Sequence, residues 1–504
     1  MTLKHILLPG LAFLFSIGLY AQQDSISEKA LAGFDLRVEK IVADWKAAGC
    51  AVGIVKNGKV IYAKGFGYRD IDKKLPVNSQ TLFRIASNTK LFTATAAGFL
   101  VNEKQLDWDL PIRKYVPTVE FNTDALNNDV TLRDMLSHRT GLSSPDMIYW
   151  GFNYTRKQIF EKLKFVSSDA AFRTTLVYNN VIYIAVGEII ELVSKTPYET
   201  YIRKKLLQPL EMNSSVFTVE EMMQSNNFAK PYYSNNTDNK IDSVFYFRND
   251  NAHAPAGGLV SNIDDMNKWL ICQLNHGYYK NKEIIPTAIF EETMKPSNID
   301  LDSYPRNLKD KNRFYNLYAL GREITNYKGH AMTFHDGGMN GYSSKLVTFP
   351  NDSLGIVILT NSNGQHISSF LAFEIADRIL NLDRTKWHED FLERNRAYQA
   401  GLKQSAAKPE KPINTACAHK LSDYVGRYDH ELYGTIEVKL INKELFLSFG
   451  RFLLPLKHKQ YETFVTTGND LIEFDPNFAT GRDGNIEQLS MEILGRETIF
   501  KKVK

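Results

Sequence analysis

A chain of 504 residues with 43% hydrophobic content is long enough to bury a large core and to hold more than one domain. Its net charge of +4, from 61 basic and 57 acidic residues spread along the chain, argues against a nucleic-acid partner and against a polybasic membrane patch. Cys50, Cys272 and Cys417 are odd in number and have no Cys or His at metal-ligand spacing, so the expectation is free thiols, at most one disulfide, no metal and no cofactor.

In chain order, Lys4-His5 precede an apolar run from Ile6 to Leu19 and then Tyr20-Ala21-Gln22. This pattern predicts a signal peptide at residues 1–21, export to a periplasmic or extracellular space, and no stable membrane span after cleavage. Two apolar stretches around Asn57-Gly58 predict a hairpin. Ser87-Asn88-Thr89-Lys90 then opens an apolar run (Leu91, Phe92, Ala94, Ala97, Phe99, Leu100). Residues three apart share a helix face, so Lys90 reaches the hydroxyl of Ser87, and the N–H groups of the helix start face a developing oxyanion. Ser405-Ala406-Ala407-Lys408 repeats the spacing in a Lys/Ala/Pro-rich segment with no apolar helix behind it, so context selects Ser87.

Thr131 to Gly141 predicts a helix with a glycine stop. Met147 to Tyr154 is rich in aromatic residues and suits an acyl pocket or ordinary packing equally. Tyr-x-Asn occurs at Tyr178, Tyr233 and Tyr279, and only Tyr178-Asn179-Asn180 is followed by an apolar helix, Val181 to Ile190. Gly337 and Gly338, after His335, precede the strand Tyr342 to Phe349, where a backbone N–H can approach a ligand. Strands at both ends with helices between predict an α/β (α+β) domain over 24–383: one mixed sheet, its outer strands from the two ends of the domain, and a helical half. Residues 384–418 read as a helical, Pro/Lys-containing linker, and 419–504 as a small all-β barrel or sandwich. Every candidate residue precedes the linker, so the tail reads as accessory.

Taken together and in this order, these residues resemble the family of class C β-lactamases, D,D-peptidases and related serine esterases, the penicillin-binding-protein-like hydrolases. The likeness runs from about Val38 to Leu382 and includes Lys64 to Tyr68, Leu136 to Leu142 and Pro255 to Ser261, and the tail is similar to a β-rich domain often appended to such hydrolases. It implies a β-lactamase/transpeptidase-like fold with Ser87 as the acylated nucleophile. Lys90 and Tyr178 would move its proton, either one as base, since burial favours a neutral lysine and a nearby cation favours a phenolate. Asn180 would donate to the acyl side of the substrate, and Gly338 N–H, in the Gly337-Gly338 pair, would join Ser87 N–H in an oxyanion hole.

One residue departs from the penicillin-recognising pattern. His335 stands where those relatives carry lysine, and an imidazole of ordinary pKa is mostly neutral at pH 7 and gains charge towards pH 6. The expectation is a secreted serine hydrolase of the carboxylesterase or D-aminopeptidase kind, acting on a small-molecule ester, amide or peptide. Alternatives are a class C-like β-lactamase or a D-alanyl-D-alanine carboxypeptidase and, from another class, a catalytically silent binding or sensor protein of the same fold. The pattern specifies no oligomer.

Overall fold

Val52 and Ile54 of the first strand point to one side and Ala51 and Val55 to the other, and all four are fully buried, so this strand belongs inside a sheet covered on both faces. The computed structural model describes residues 29–235, 240–244, 250–300, 316–363, 366–406, 415–468 and 472–503. The leader read at 1–21 lies outside them, as does the end of the Ser405–Lys408 repeat.

The sheet is built from β1 (Gly49–Lys56), β2 (Lys59–Asp70), β3 (Leu75–Pro76), β4 (Asn298–Asp300), β5 (Asn316–Tyr318), β6 (Glu323–Tyr327), β7 (His330–Met339), β8 (Tyr342–Phe349) and β9 (Leu354–Thr360), in the spatial order 4-5-6-7-8-9-1-2-3. Asn57 and Gly58 both take positive φ, as the two-residue turn between β1 and β2 requires. Two details of the expected sheet are corrected. All its strand pairs are antiparallel rather than mixed, and β1 lies in the interior beside β9 while β3 and β4 form the edges. Short turns reverse the chain from β5 to β9 and from β1 to β3, and two strands as apolar as β1 and β9 are better covered by each other than left at an edge.

One face of the sheet packs on α1 (Phe34–Asp44) and α5 (Ile367–Ile379), which supply Phe34, Val38, Phe370 and Phe373. The opposite face packs on α4 (Ile263–Leu274), and α2 (Thr89–Asn102) and α3 (Asn180–Ser194) of the helical half continue that core, with Phe92 of α2 stacked on Trp269 of α4 at 3.9 Å. The segment expected as a linker begins as α6 (Trp387–Ala406), docked on the same domain: Trp387 Nε1 donates to Asp377 at 3.1 Å and Phe391 meets Phe370. Cys50 and Cys272 are buried free thiols, and Cys417 is also free.

The tail closes into an eight-stranded antiparallel barrel, Gly426–His430 through Arg496–Lys502. It rests on the helical half through aromatic packing: Phe449 meets Phe152 edge-on at 4.9 Å and Phe452 lies 5.6 Å from Trp150. Arg451 N–H donates to the Gly151 carbonyl, Tyr154 Oη donates to the Tyr433 carbonyl, and Arg496 pairs with Asp169. Gly450, at φ 56°, lets the turn approach so closely that a side chain there would strike the Gly151 carbonyl.

Phe152 and Phe449 are both buried in this junction. Replacing either by Ala should therefore cost about 3 kcal/mol of unfolding free energy, as large-to-small core changes do. Because the rings touch, the double variant should cost about 1 kcal/mol less than the sum. Urea denaturation of the two single variants and the double one checks this, and strict additivity would show that the two domains do not share a core.

Candidate active site

Ser87 sits in a short 3-10 turn, Ala86–Asn88, immediately before α2. Ala86 has φ 48°, a left-handed conformation unusual for a residue with a side chain. It is held by bonds on every side. Ser344 Oγ donates to the Ile85 carbonyl at 2.7 Å and accepts from Asn88 Nδ2 at 2.8 Å, while Ile85 N–H donates to the Leu259 carbonyl and Leu259 N–H to Thr89 Oγ1. Gly337 on β7 packs against this turn, where a side chain would collide with Ser344 Oγ and the Ile85 carbonyl. Gly338 beside it faces open space and lines the pocket above Ser87.

Lys90, fully buried on the first turn of α2, donates to Ser87 Oγ at 3.1 Å, to Asn180 Oδ1 at 2.7 Å and to the Ala256 carbonyl at 2.8 Å. The ammonium lies 4.8 Å from the Tyr178 ring centre and 5.2 Å from that of Tyr183. Burial outweighs the attraction of Asp146 and brings Lys90 from its ordinary 10.5 down to about 7, so a large share is the free amine near neutrality.

Tyr178 is 37% exposed and its hydroxyl interacts with Ser87. The phenolate expected beside a cation is not favoured: the enclosing protein pushes the phenol up from its ordinary value, and the Ser87 bond offsets only part of this. Asn180 begins α3, whose cap is Asn179, with Oδ1 accepting from Ile182 N–H. The Asn180 amide accepts from Lys90 and donates to Asp146 Oδ2 at 2.9 Å. Asp146 also accepts from Ser144 Oγ at 2.6 Å and bonds Tyr149, and burial raises its pKa.

His335 requires a correction. It is 5% exposed and both ring nitrogens are engaged, so it does not present an imidazole to a substrate carboxylate. Its partners fix the protons. Asn179 N–H donates to His138 Nδ1 at 3.1 Å, so His138 carries its proton on Nε2, 3.2 Å from Tyr318 Oη. The Tyr318 hydroxyl then donates to His335 Nε2 at 3.0 Å, and His335 Nδ1–H donates to the Asp336 carbonyl at 2.6 Å. Burial, aided by the charge of Lys90, pushes His335 down to about 4, and His138 also well below its ordinary value. Neither gains charge between pH 7 and 6.

Ser87, Asn180 and Gly338 share a pocket of about 190 Å³ with Asp146, Tyr149, Trp150, His253 and Asn340. None of Tyr178, Tyr233 and Tyr279 lines it; what sets Tyr178 apart is its approach to Ser87 and to the Lys90 ammonium. Asp146 and His253 were not foreseen from the sequence, and Tyr149 and Trp150 belong to the aromatic stretch that suited pocket or core equally. Asp146, Tyr149 and Trp150 also line a neighbouring cleft of about 740 Å³ whose far wall is the barrel. Among the described residues no group of three or more His, Cys, Asp or Glu could hold a metal ion.

Residues 34–377 match the model of the Beta-lactamase family, and residues 410–502 that of a domain of unknown function, DUF3471. The chain is 26% identical over 435 residues to the unguisins hydrolase ungD' of Aspergillus campestris, covering 80% of this chain and 76% of that protein. It is 27% identical over 333 residues to protein flp of Staphylococcus aureus, covering 63% of this chain and 60% of flp. In fold it is similar to the octameric penicillin-binding protein homologue of Pyrococcus abyssi (TM-score 0.61, 24% identity, 94% of this chain and all of that one). It is also similar to the D-amino acid amidase of Ochrobactrum anthropi (TM-score 0.54, 22% identity, 71% and 98%). With a match over two thirds of its length, and with a serine and a buried lysine placed on one helix turn, the chain belongs to the Beta-lactamase family of serine hydrolases.

Proposed function

We propose that the protein hydrolyses ester or small amide bonds through an acyl-enzyme on Ser87. The observation that carries this reading is Lys90 Nζ 3.1 Å from Ser87 Oγ in a setting that frees much of the amine near pH 7. Neutral Lys90 takes the hydroxyl proton as Ser87 Oγ bonds to the acyl carbon, and the N–H groups of Ser87 and Gly338 receive the negative charge that develops on oxygen. Tyr178, kept as the neutral phenol, passes a proton to the departing oxygen or nitrogen. A water, deprotonated by the same pair, then attacks the acyl carbon and Ser87 regains its proton. Asn180 holds Lys90 in place, and Asp146 holds Asn180.

With His335 neutral and fully bonded, and no lysine or arginine among the described residues that line the pocket, a substrate carboxylate has no fixed cation to meet there. This supports esters and small amides over penicillins and D-alanyl-D-alanine ends. Export through the leader at 1–21 belongs to the same proposal and rests on the charged start and apolar run alone.

Ser87→Ala should lower kcat/KM for a small activated ester on the order of a thousandfold or more with the fold intact by circular dichroism. A folded variant that keeps its rate would overturn the nucleophile assignment. Lys90→Ala and Tyr178→Phe should each cost on the order of a hundredfold, and the double variant far less than the product, because both serve one proton path. Multiplying losses would assign them independent roles.

The free amine is the base, so kcat/KM should rise with pH through about 7 and level off above it. Asp146 stabilises the charged lysine, so Asp146→Asn should move this limb to lower pH, and an unmoved limb would uncouple the two groups. The preference for a neutral ester over a matched cephalosporin should be the same at pH 6 and pH 7.5, since His335 titrates near 4. A preference that narrows at pH 6 would show that the imidazole does face the substrate.

A further inference from the structure

Arg322, at the entrance to β6, is 3% exposed and forms no ion pair with any described residue. Only neutral groups meet its guanidinium. Nη1 donates to Met294 Sδ at 3.1 Å, and Nη2 to Gln273 Oε1 at 2.6 Å and Thr293 Oγ1 at 3.2 Å, with the centre of the Phe290 ring 5.9 Å away. The Nε–H is buried and has no partner. A buried cation held by neutral acceptors alone is costly, because their dipoles return only part of the hydration it gives up.

Arg322 lines a cavity of about 10 Å³ together with Asn88, Gln273, Thr333, His335 and Thr348, and apolar side chains complete the wall. That is room for one small guest and not for sulfate, phosphate or an organic ligand. The lining side chains are rich in donors. The Thr333 and Thr348 hydroxyls bond each other at 2.7 Å, which uses one of their two protons and leaves the other. Gln273, its oxygen taken by Arg322, has only N–H groups left to offer. Against these stands one acceptor, Asn88 Oδ1, buried and without a partner, while both nitrogens of His335 are engaged.

An occupant of this cavity has something to act on. Asn88 follows Ser87 directly, and its Nδ2 donates to Ser344 Oγ, which holds the Ile85 carbonyl of the nucleophile turn. His335 lies on β7 shortly ahead of Gly338. The cavity therefore touches, from behind, both segments that carry the proposed oxyanion donors.

We propose that this cavity binds one halide ion, paired with the Nε–H of Arg322, and that the ion braces the Ser87 turn against β7. The binding site stands on the cavity and the unpaired guanidinium, whereas its effect on turnover rests on the hydrolase reading above.

The test uses the full-length protein, dialysed at length against potassium gluconate and then against potassium chloride or bromide at the same ionic strength, since exchange into a small buried cavity is slow. Halide should raise the thermal unfolding midpoint by about 2 °C. Crystals soaked in bromide should show anomalous density within hydrogen-bonding reach of Arg322 Nε, and Arg322→Met should remove both signals. For a small activated ester, kcat should be about fivefold higher in chloride than in gluconate with KM unchanged, the low end of coupling between a ligand and a site it braces. A midpoint indifferent to halide, a halide response that survives in Arg322→Met, or cavity density without anomalous signal, as a water gives, overturns the ion site. If Arg322→Met fails to fold, the wild-type midpoint and the bromide density decide alone. Bromide at Arg322 with kcat unchanged leaves the site standing and sinks its link to the Ser87 turn. If no neutral alkyl phosphonate labels Ser87, the hydrolase reading falls, and the midpoint and the bromide density still decide the ion site.

Discussion

The site depends on burying one lysine. Taking the Lys90 side chain out of water costs energy unless its three donor directions are met, and Ser87, Asn180 and the Ala256 carbonyl meet them from three separate parts of the chain. Each partner demands its own support. The Ser87 turn is fixed by Ser344 and Leu259, Asn180 by the start of α3, and Ala256 by the buried stretch Ala254–Gly258 packed over α2. The same burial that costs energy also frees the amine, so structural expense and chemical usefulness come from one act of desolvation.

The chain of Asn179, His138, Tyr318, His335 and the Asp336 carbonyl gives the site its second constraint. Each proton in it is assigned by the neighbour, so neither histidine can turn without breaking two bonds. The His138 ring packs 4.3 Å from Tyr178, and the two residues after Tyr178 are anchored by His138 and Lys90. The arrangement keeps a titratable cluster electrically silent next to a lysine whose own charge is in play.

Ser87 and Lys90 were legible because their relation is local, fixed by one helical turn. The Asn57-Gly58 hairpin and the apolar helix that follows Tyr178 were legible for the same reason. What escaped was decided by distant partners. His335 was expected ahead of the strand Tyr342 to Phe349, whereas it lies inside β7, and its burial comes from Tyr318 on β5 and from the loop carrying His138. Asp146 and His253 carry no motif, and they reach the pocket by packing across long sequence separations. The barrel's place over the site is written in Phe152, Phe449 and Gly450, each of which looks like any other core or turn residue on the page.

The pairing of β1 with β9 has a consequence for how the chain acquires its shape. Cys50 lies against Thr360, so the middle of the sheet joins strands from the two ends of the domain, and nearly all of the catalytic sequence is made between them. The β1–β2 hairpin can form early from local contacts, yet it must hold an apolar, unpaired edge open until the last strand has been synthesised. Closure of the sheet is therefore a late event of long loop, and the nascent protein spends most of its synthesis with its most aggregation-prone edge uncovered.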